Sequence, residues 1–113
     1  MPSKQRLSRA DFSEVASSRP NRVYGALFTL VVSRNKDKNA VNKPKFACVV
    51  SKKVAVRAVD RNRIRRLSRE VARTLLSEAF SSLNLILYAK KEAKKASYQT
   101  IETDVKALLA RIK

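Results

Sequence analysis

Residues 61–70 read RNRIRRLSRE: five arginines, one asparagine and one acid in ten positions. A guanidinium is protonated at every physiological pH, so it is neither a base nor a nucleophile; it binds. Its planar fork matches two phosphate oxygens, and its face stacks on nucleobases. The residues that would do bond-breaking chemistry are scarce. There is no histidine, which removes the commonest general base and metal ligand. The nine acids are scattered along the chain as Asp11, Glu14, Asp37, Asp60, Glu70, Glu78, Glu92, Glu102 and Asp104. A self-contained metal nuclease needs clustered carboxylates to hold its ions. Gly25 is the only glycine, so a glycine-rich phosphate loop is excluded. Cys48, the only cysteine, lies in the apolar run FACVV and reads as a small buried hydrophobe. The residue types favour a binder over a catalyst.

The rest of the composition agrees. The 113 residues suit one domain spanning 1–113, and 44% apolar content is enough for a core. Lys and Arg number 26 against nine Asp and Glu, a formal charge of +17. Such self-repulsion calls for a polyanionic partner, for which nucleic acid is a better candidate than an anionic membrane surface. No apolar run is long enough to span a bilayer, and MPSKQRLSRADF lacks a secretory signal's apolar core. With a single cysteine, a reducing cytoplasm is the expected compartment.

Positioning the arginines requires elements. RLSRADFSEVA spaces Leu7, Phe12 and Val15 for a short helix over 6–16, with Ser8 as cap and a stop at Pro20. Residues 22–32, RVYGALFTLVV, predict one strand, and 45–53, KFACVVSKK, a second. The polar loop between them suggests that these two strands pair antiparallel. Asp60 is the expected N-cap of a helix running to about Ser81. LNLILYAK, 83–90, predicts a central strand covered on both faces. Ser97 caps a last helix whose stripe is Ile101, Val105, Leu108, Leu109 and Ile112. The expected order is αββαβα: an α/β (α+β) two-layer sandwich with a small mixed sheet. Its βαβ unit makes the second and third strands parallel neighbours.

At about 100° per residue, Ile64, Leu67, Val71 and Leu75 form one apolar stripe on the helix after Asp60. Arg61, Asn62, Arg65, Arg66, Arg69 and Arg73 fall within about 140° of arc on the other side. Most charge runs are merely solvated faces. A solvated helix, however, usually interleaves acids with bases at i, i+4. Here Glu70 is the only acid between Asp60 and Glu78, and no lysine occurs between Val54 and Lys90. This face is built for phosphate. Lys52, Lys53, Arg57 and KKEAKK add basic groups. The aromatics read mostly as core, with Phe12 the candidate for stacking on unpaired bases.

FACVVSKKVAVRAVDRNRIRRLSRE resembles the signature of the protein subunit of bacterial ribonuclease P: a strand ending in Ser-Lys-Lys, a short connector, then Arg-Asn-Arg-Ile and basic pairs. RADFSEV is similar to the family's first helix, LNLILYAKK to its third strand, SYQTIETDVKALL to its last helix. The resemblance implies a left-handed βαβ crossover, against the usual hand. It implies a non-catalytic chain that serves a catalytic RNA, with Mg²⁺ held mainly by that RNA. The partners would be ribonuclease P RNA and precursor tRNA, with no membrane or small-molecule substrate, and the activity an endonucleolytic maturation of the tRNA 5′ end. Arg57, Arg61, Asn62, Arg63, Arg65, Arg66, Arg69 and Arg73 would face the catalytic RNA. Phe12, Ser51, Lys52, Lys53 and Lys90 would line the path of the 5′ leader. The chain departs from the family pattern at Ala16, where a second aromatic is common, and at Ala47 and Ala55, where glycine is common. The alternative reading is a ribosomal or other structural RNA-binding protein of similar fold. A stand-alone nuclease lacks its acid–base residues, and a helix-turn-helix DNA binder would need two adjacent helices where strands are expected.

Overall fold

The computed structural model describes residues 21–34, 45–76 and 83–112. The N-terminal helix expected over 6–16, with Phe12 and Ala16, lies outside them. Four strands form one mixed sheet in the order β1-β2-β4-β3: β1 Asn21–Tyr24, β2 Phe28–Arg34, β3 Lys45–Val49 and β4 Leu83–Ala89. Two helices, α1 Ala58–Leu75 and α2 Tyr98–Ala110, pack on one face, and a short 3₁₀ turn spans Lys91–Ala93. The α+β class and the mixed sheet agree with the sequence.

The core explains the pattern. Period-two alternation turns Phe28, Leu30, Val32, Phe46, Leu85 and Leu87 toward the helices, where they meet Ile64, Val71, Ala72, Ile101, Val105 and Leu108. On the opposite face Val31 and Ile86 are buried beside Val49. Strand β4 is therefore covered on both sides, as its apolar run predicts. It is also central, parallel to β3 (Cys48 opposite Leu87) and antiparallel to β2 (Leu30 opposite Leu87).

Three expectations are corrected. The single strand over 22–32 is a hairpin: β1 and β2 pair antiparallel, Val23 opposite Leu30, around a turn at 25–27. That turn is fixed from elsewhere in the chain. The Asp104 carboxylate accepts the backbone N–H groups of Ala26 (2.9 Å), Leu27 (3.1 Å) and Phe28 (3.1 Å). Gly25 is needed because a Cβ there would lie 2.9 Å from both carboxylate oxygens and 3.0 Å from Leu108 Cδ2. Second, β2 and β3 do not pair, because β4 inserts between them. The strand expected to run to Lys53 ends at Val49 and gives way to a turn at 52–54. Third, Arg57, not Asp60, is the N-cap of α1, and the helix ends at Leu75. Asp60 occupies the first turn instead, where its charge still suits the positive end of the helix. Ser97 caps α2 as expected, accepting from Thr100 N at 3.2 Å.

The buried stripe of α1 is Ile64, Ser68, Val71 and Ala72, with Leu67 and Leu75 flanking it half-buried. Ser68 and Ala72 are small, so the helix can approach the sheet closely at those positions. Hydrophobicity alone hides Ser68, which sits at the centre of the stripe with no exposed surface.

Candidate nucleic-acid interface

Helix α1 is anchored along that stripe, which leaves its other side to solvent. Asn62, Arg66 and Arg73 are exposed, and Arg65 and Arg69 half-exposed. Arg66, Arg69 and Arg73 line one surface hollow with Glu70. Arg65 Nη1 donates to Asn62 Oδ1 at 2.8 Å, which orders the two side chains one turn apart. Among the described residues, no carboxylate forms an ion pair with any of these arginines. The helix thus carries these guanidinium groups on a fixed backbone, with no ion pair to a carboxylate among the described residues.

The Arg-Asn-Arg motif divides its labour. Arg61 turns back on the connector: its Nη1 donates to Ala55 O at 3.0 Å and to Val56 O at 2.6 Å. Arg63 reaches sideways, its Nη2 donating to Ala96 O at 2.8 Å across 33 residues. Both lie half-buried, whereas Asn62 between them is exposed. Arg57, at the helix N-cap, is exposed.

A second group gathers at one end of the sheet. The parallel strands β3 and β4 both finish there, β1 finishes there and β2 begins there. Register places Tyr24 opposite Thr29, Thr29 opposite Tyr88 and Tyr88 opposite Val49, one row across all four strands on the face away from the helices. Ser51, Lys52 and Lys53 follow β3 at this end and are exposed. Lys90 follows β4, but its ammonium is not wholly free: Nζ donates to Gly25 O at 2.7 Å, and its backbone N donates to Leu27 O at 2.8 Å. Arg111 Nη1 ties down Tyr24 O at 2.8 Å. The structure therefore brings Ser51, Lys52, Lys53 and Lys90 to one edge, and it assigns Lys90 a share in fixing the β1–β2 turn.

Sequence reasoning missed two residues of this row. Tyr24 is 62% exposed and Tyr88 39% exposed, although aromatic residues in strands read as core. The available signal was parity: in LNLILYA, Leu85 and Leu87 share one face, which puts Tyr88 on the other. Val56 (80%) and Val59 (60%) are likewise exposed apolar groups beside Arg57.

Cys48 faces α1, packed against the main core. Burial pushes its thiol up to about 11, while Ser68 and the Arg65 and Arg69 guanidinium groups pull weakly the other way. A thiol in that state is not a nucleophile at neutral pH. Among the described residues, no three of His, Cys, Asp and Glu come close enough to hold a metal ion. No helix among them is long and apolar enough to cross a membrane. The groups on this surface can grip phosphates, stack on bases and donate hydrogen bonds.

Comparison with known proteins points the same way. The family model described as Ribonuclease P matches residues 1–113. The chain is 32% identical over 114 residues to a ribonuclease P protein component from a Pseudanabaena strain, covering 100% of this chain and 95% of that one. Among solved structures it resembles a Staphylococcus aureus RNase P protein mutant described as defective in mRNA degradation. That match has a TM-score of 0.79 and 25% identity, over 94% of this chain and 86% of the other. The RNase P protein from Thermotoga maritima shares the fold, with a TM-score of 0.78 at 20% identity over 96% and 97% of the two chains.

Proposed function

The chain belongs to the ribonuclease P protein family, and from that premise we propose that it is the protein cofactor of tRNA 5′-end maturation, working by gripping RNA on two surfaces. The outer side of α1 docks the catalytic RNA, with Asn62, Arg65, Arg66, Arg69 and Arg73 meeting its phosphates. Arg57 and the connector extend that contact. Arg61 and Arg63 serve it from within, by fixing the connector and the turn that follows β4.

The sheet end takes the single-stranded 5′ leader of precursor tRNA. Lys52, Lys53 and Lys90 supply positive charge along its path, and Ser51 a hydroxyl. Tyr24 and Tyr88 offer faces on which unpaired bases stack. Phe12 contributes from the N-terminal segment. The bond-breaking chemistry belongs to the RNA. Mg²⁺ would supply charge stabilisation and an activated water there, and the described residues of this chain offer it no cluster of ligands. What the chain contributes is neutralisation: two strongly negative RNAs approach each other only if something offsets their repulsion.

The observation that carries this reading is the pairing, on one helix, of a buried stripe, Ile64, Ser68, Val71 and Ala72, with an arginine face that has no ion pair among the described residues. Reconstitution tests it. Added to a bacterial ribonuclease P RNA, the protein should raise cleavage of precursor tRNA at low Mg²⁺, and more for a precursor with a leader of several nucleotides than for one with a single nucleotide. No stimulation, together with no preference for that RNA over an unrelated folded RNA of equal length, would overturn it.

A further inference from the structure

We infer that the turn Lys91–Lys95 is a further phosphate-binding element of the RNA surface, set in place by Arg63. The inference rests on the RNA-binding reading above and adds a site to it. Lys91, Lys94 and Lys95 are all exposed, and none has an ion pair among the described residues. The only acid of the turn is Glu92, itself exposed.

Three like charges within five residues are ordinarily a solvated run, and such runs have no need of a fixed backbone. The backbone of this one is tied at several points. Ala93 N donates to Lys90 O at 3.0 Å, Lys94 N to Lys91 O at 3.2 Å and Ala96 N to Ala93 O at 3.2 Å. Ala93 and Ala96 are buried in the main core and act as its two feet. Lys90 holds one end of the turn to the β1–β2 loop through its backbone N and its Nζ. Arg63 holds the other end to α1 through Ala96 O. The turn is a short rigid platform that displays ammonium groups beside the first turns of the arginine helix. A backbone already fixed lowers the cost of binding a polyanion, since only the lysine side chains remain to be ordered. Arg63 is accordingly a positioning residue. Its Nη2 donates to a backbone carbonyl, and it acts on RNA through the lysines whose turn it holds.

Binding of a ribonuclease P RNA, measured against salt, tests both parts. The variants are the triple change Lys91→Gln, Lys94→Gln and Lys95→Gln, the single change Arg63→Met, and the two combined. The lysines are exposed, so the triple variant keeps the fold. It should lose about 2 units of the log–log salt slope, one phosphate contact accounting for roughly 0.7–0.9. Arg63→Met should lower the slope in the same direction, and the combined variant should fall no further than the triple. Arg63→Lys keeps the charge but not the fork. A direct phosphate contact would preserve its slope, whereas a positioning role predicts a slope reduced toward that of Arg63→Met. A triple variant with the slope and affinity of the unaltered protein overturns the lysine site. Strict additivity of the triple and Arg63 changes overturns the positioning role. Failure of the unaltered protein to prefer the ribozyme RNA at all would instead strike the proposed function.

Discussion

Arg66, Arg69 and Arg73 border one hollow on α1, have no ion pair among the described residues, and lie away from the buried stripe. Replacing all three with glutamine removes three cations and leaves a shorter but still polar side chain at each position. If each meets one phosphate, the slope of log affinity against log salt falls by about 2.1–2.7, at roughly 0.7–0.9 per contact. Between 50 and 200 mM salt the unaltered protein then loses roughly 20- to 40-fold more affinity than the variant, since fourfold salt enters at that power. Filter binding or fluorescence anisotropy with the catalytic RNA reads this directly. Stability provides the internal control. Like charges at i, i+3 and i, i+4 repel by a few tenths of a kcal/mol per pair, so the variant should unfold at the same urea concentration or slightly higher. Unchanged slope with an intact fold would refute the assignment of this face to phosphate. A marked loss of stability would mean that these side chains do structural work the geometry does not show.

The remaining predictions concern the supports and the sheet end. Asp104→Asn leaves only one acceptor for three backbone N–H groups and should lower unfolding stability by about 2 kcal/mol in urea titrations; stability equal to the unaltered protein would show that the β1–β2 turn holds without it. Gly25→Ala drives a methyl against both Asp104 oxygens and Leu108 and should cost about 1–3 kcal/mol, a loss that Asp104→Ala should partly relieve. Cys48, raised from 9.0 to about 11, should react with a thiol reagent at pH 8 about 100-fold more slowly in the folded protein than in urea. Because its folded value is raised, that contribution to stability is complete below pH 9 and is lost as pH climbs toward 11. Tyr88→Ser and Tyr24→Ser should each narrow the preference for precursor over mature tRNA by roughly 1–3 kcal/mol of lost stacking, with little change in affinity for the catalytic RNA alone.

Sequence and structure part company for identifiable reasons. Helix α1 was legible because periodicity and charge agree in it: Ile64 and Val71 fix the inner face, and the arginines opposite follow from geometry. Strand β4 was legible because a nearly uniform apolar run, interrupted only by Asn84, suits a strand covered on both faces. The β1–β2 hairpin was hidden because its turn carries no proline, asparagine or aspartate of its own; the aspartate that stabilises it, Asp104, arrives from α2. The strand order was hidden for a related reason, since a polar loop between two strands says nothing about a third strand that inserts between them. The motif resemblance assigns Arg61, Asn62 and Arg63 alike to the RNA; that Arg61 and Arg63 also donate to the carbonyls of Ala55, Val56 and Ala96 is something a motif does not record.

Those inward-turned arginines bear on how a protein with a formal charge of +17 keeps a defined surface. Each cation committed to a backbone carbonyl removes no net charge, yet it converts repulsion into a fixed separation between basic segments. Arg61 ties the connector to α1, Arg63 ties the turn after β4 to α1, Lys90 ties that same turn to the β1–β2 loop, and Arg111 ties β1 to α2. Among the described residues, Lys52 and Lys53, Lys91, Lys94 and Lys95, and the arginines of α1 are carried on segments held by these ties or by the core. A polyanion therefore meets these cations on backbone segments whose spacing is set before it arrives. A negatively charged RNA gains from that arrangement, because the backbone that carries these cations needs no further ordering on binding.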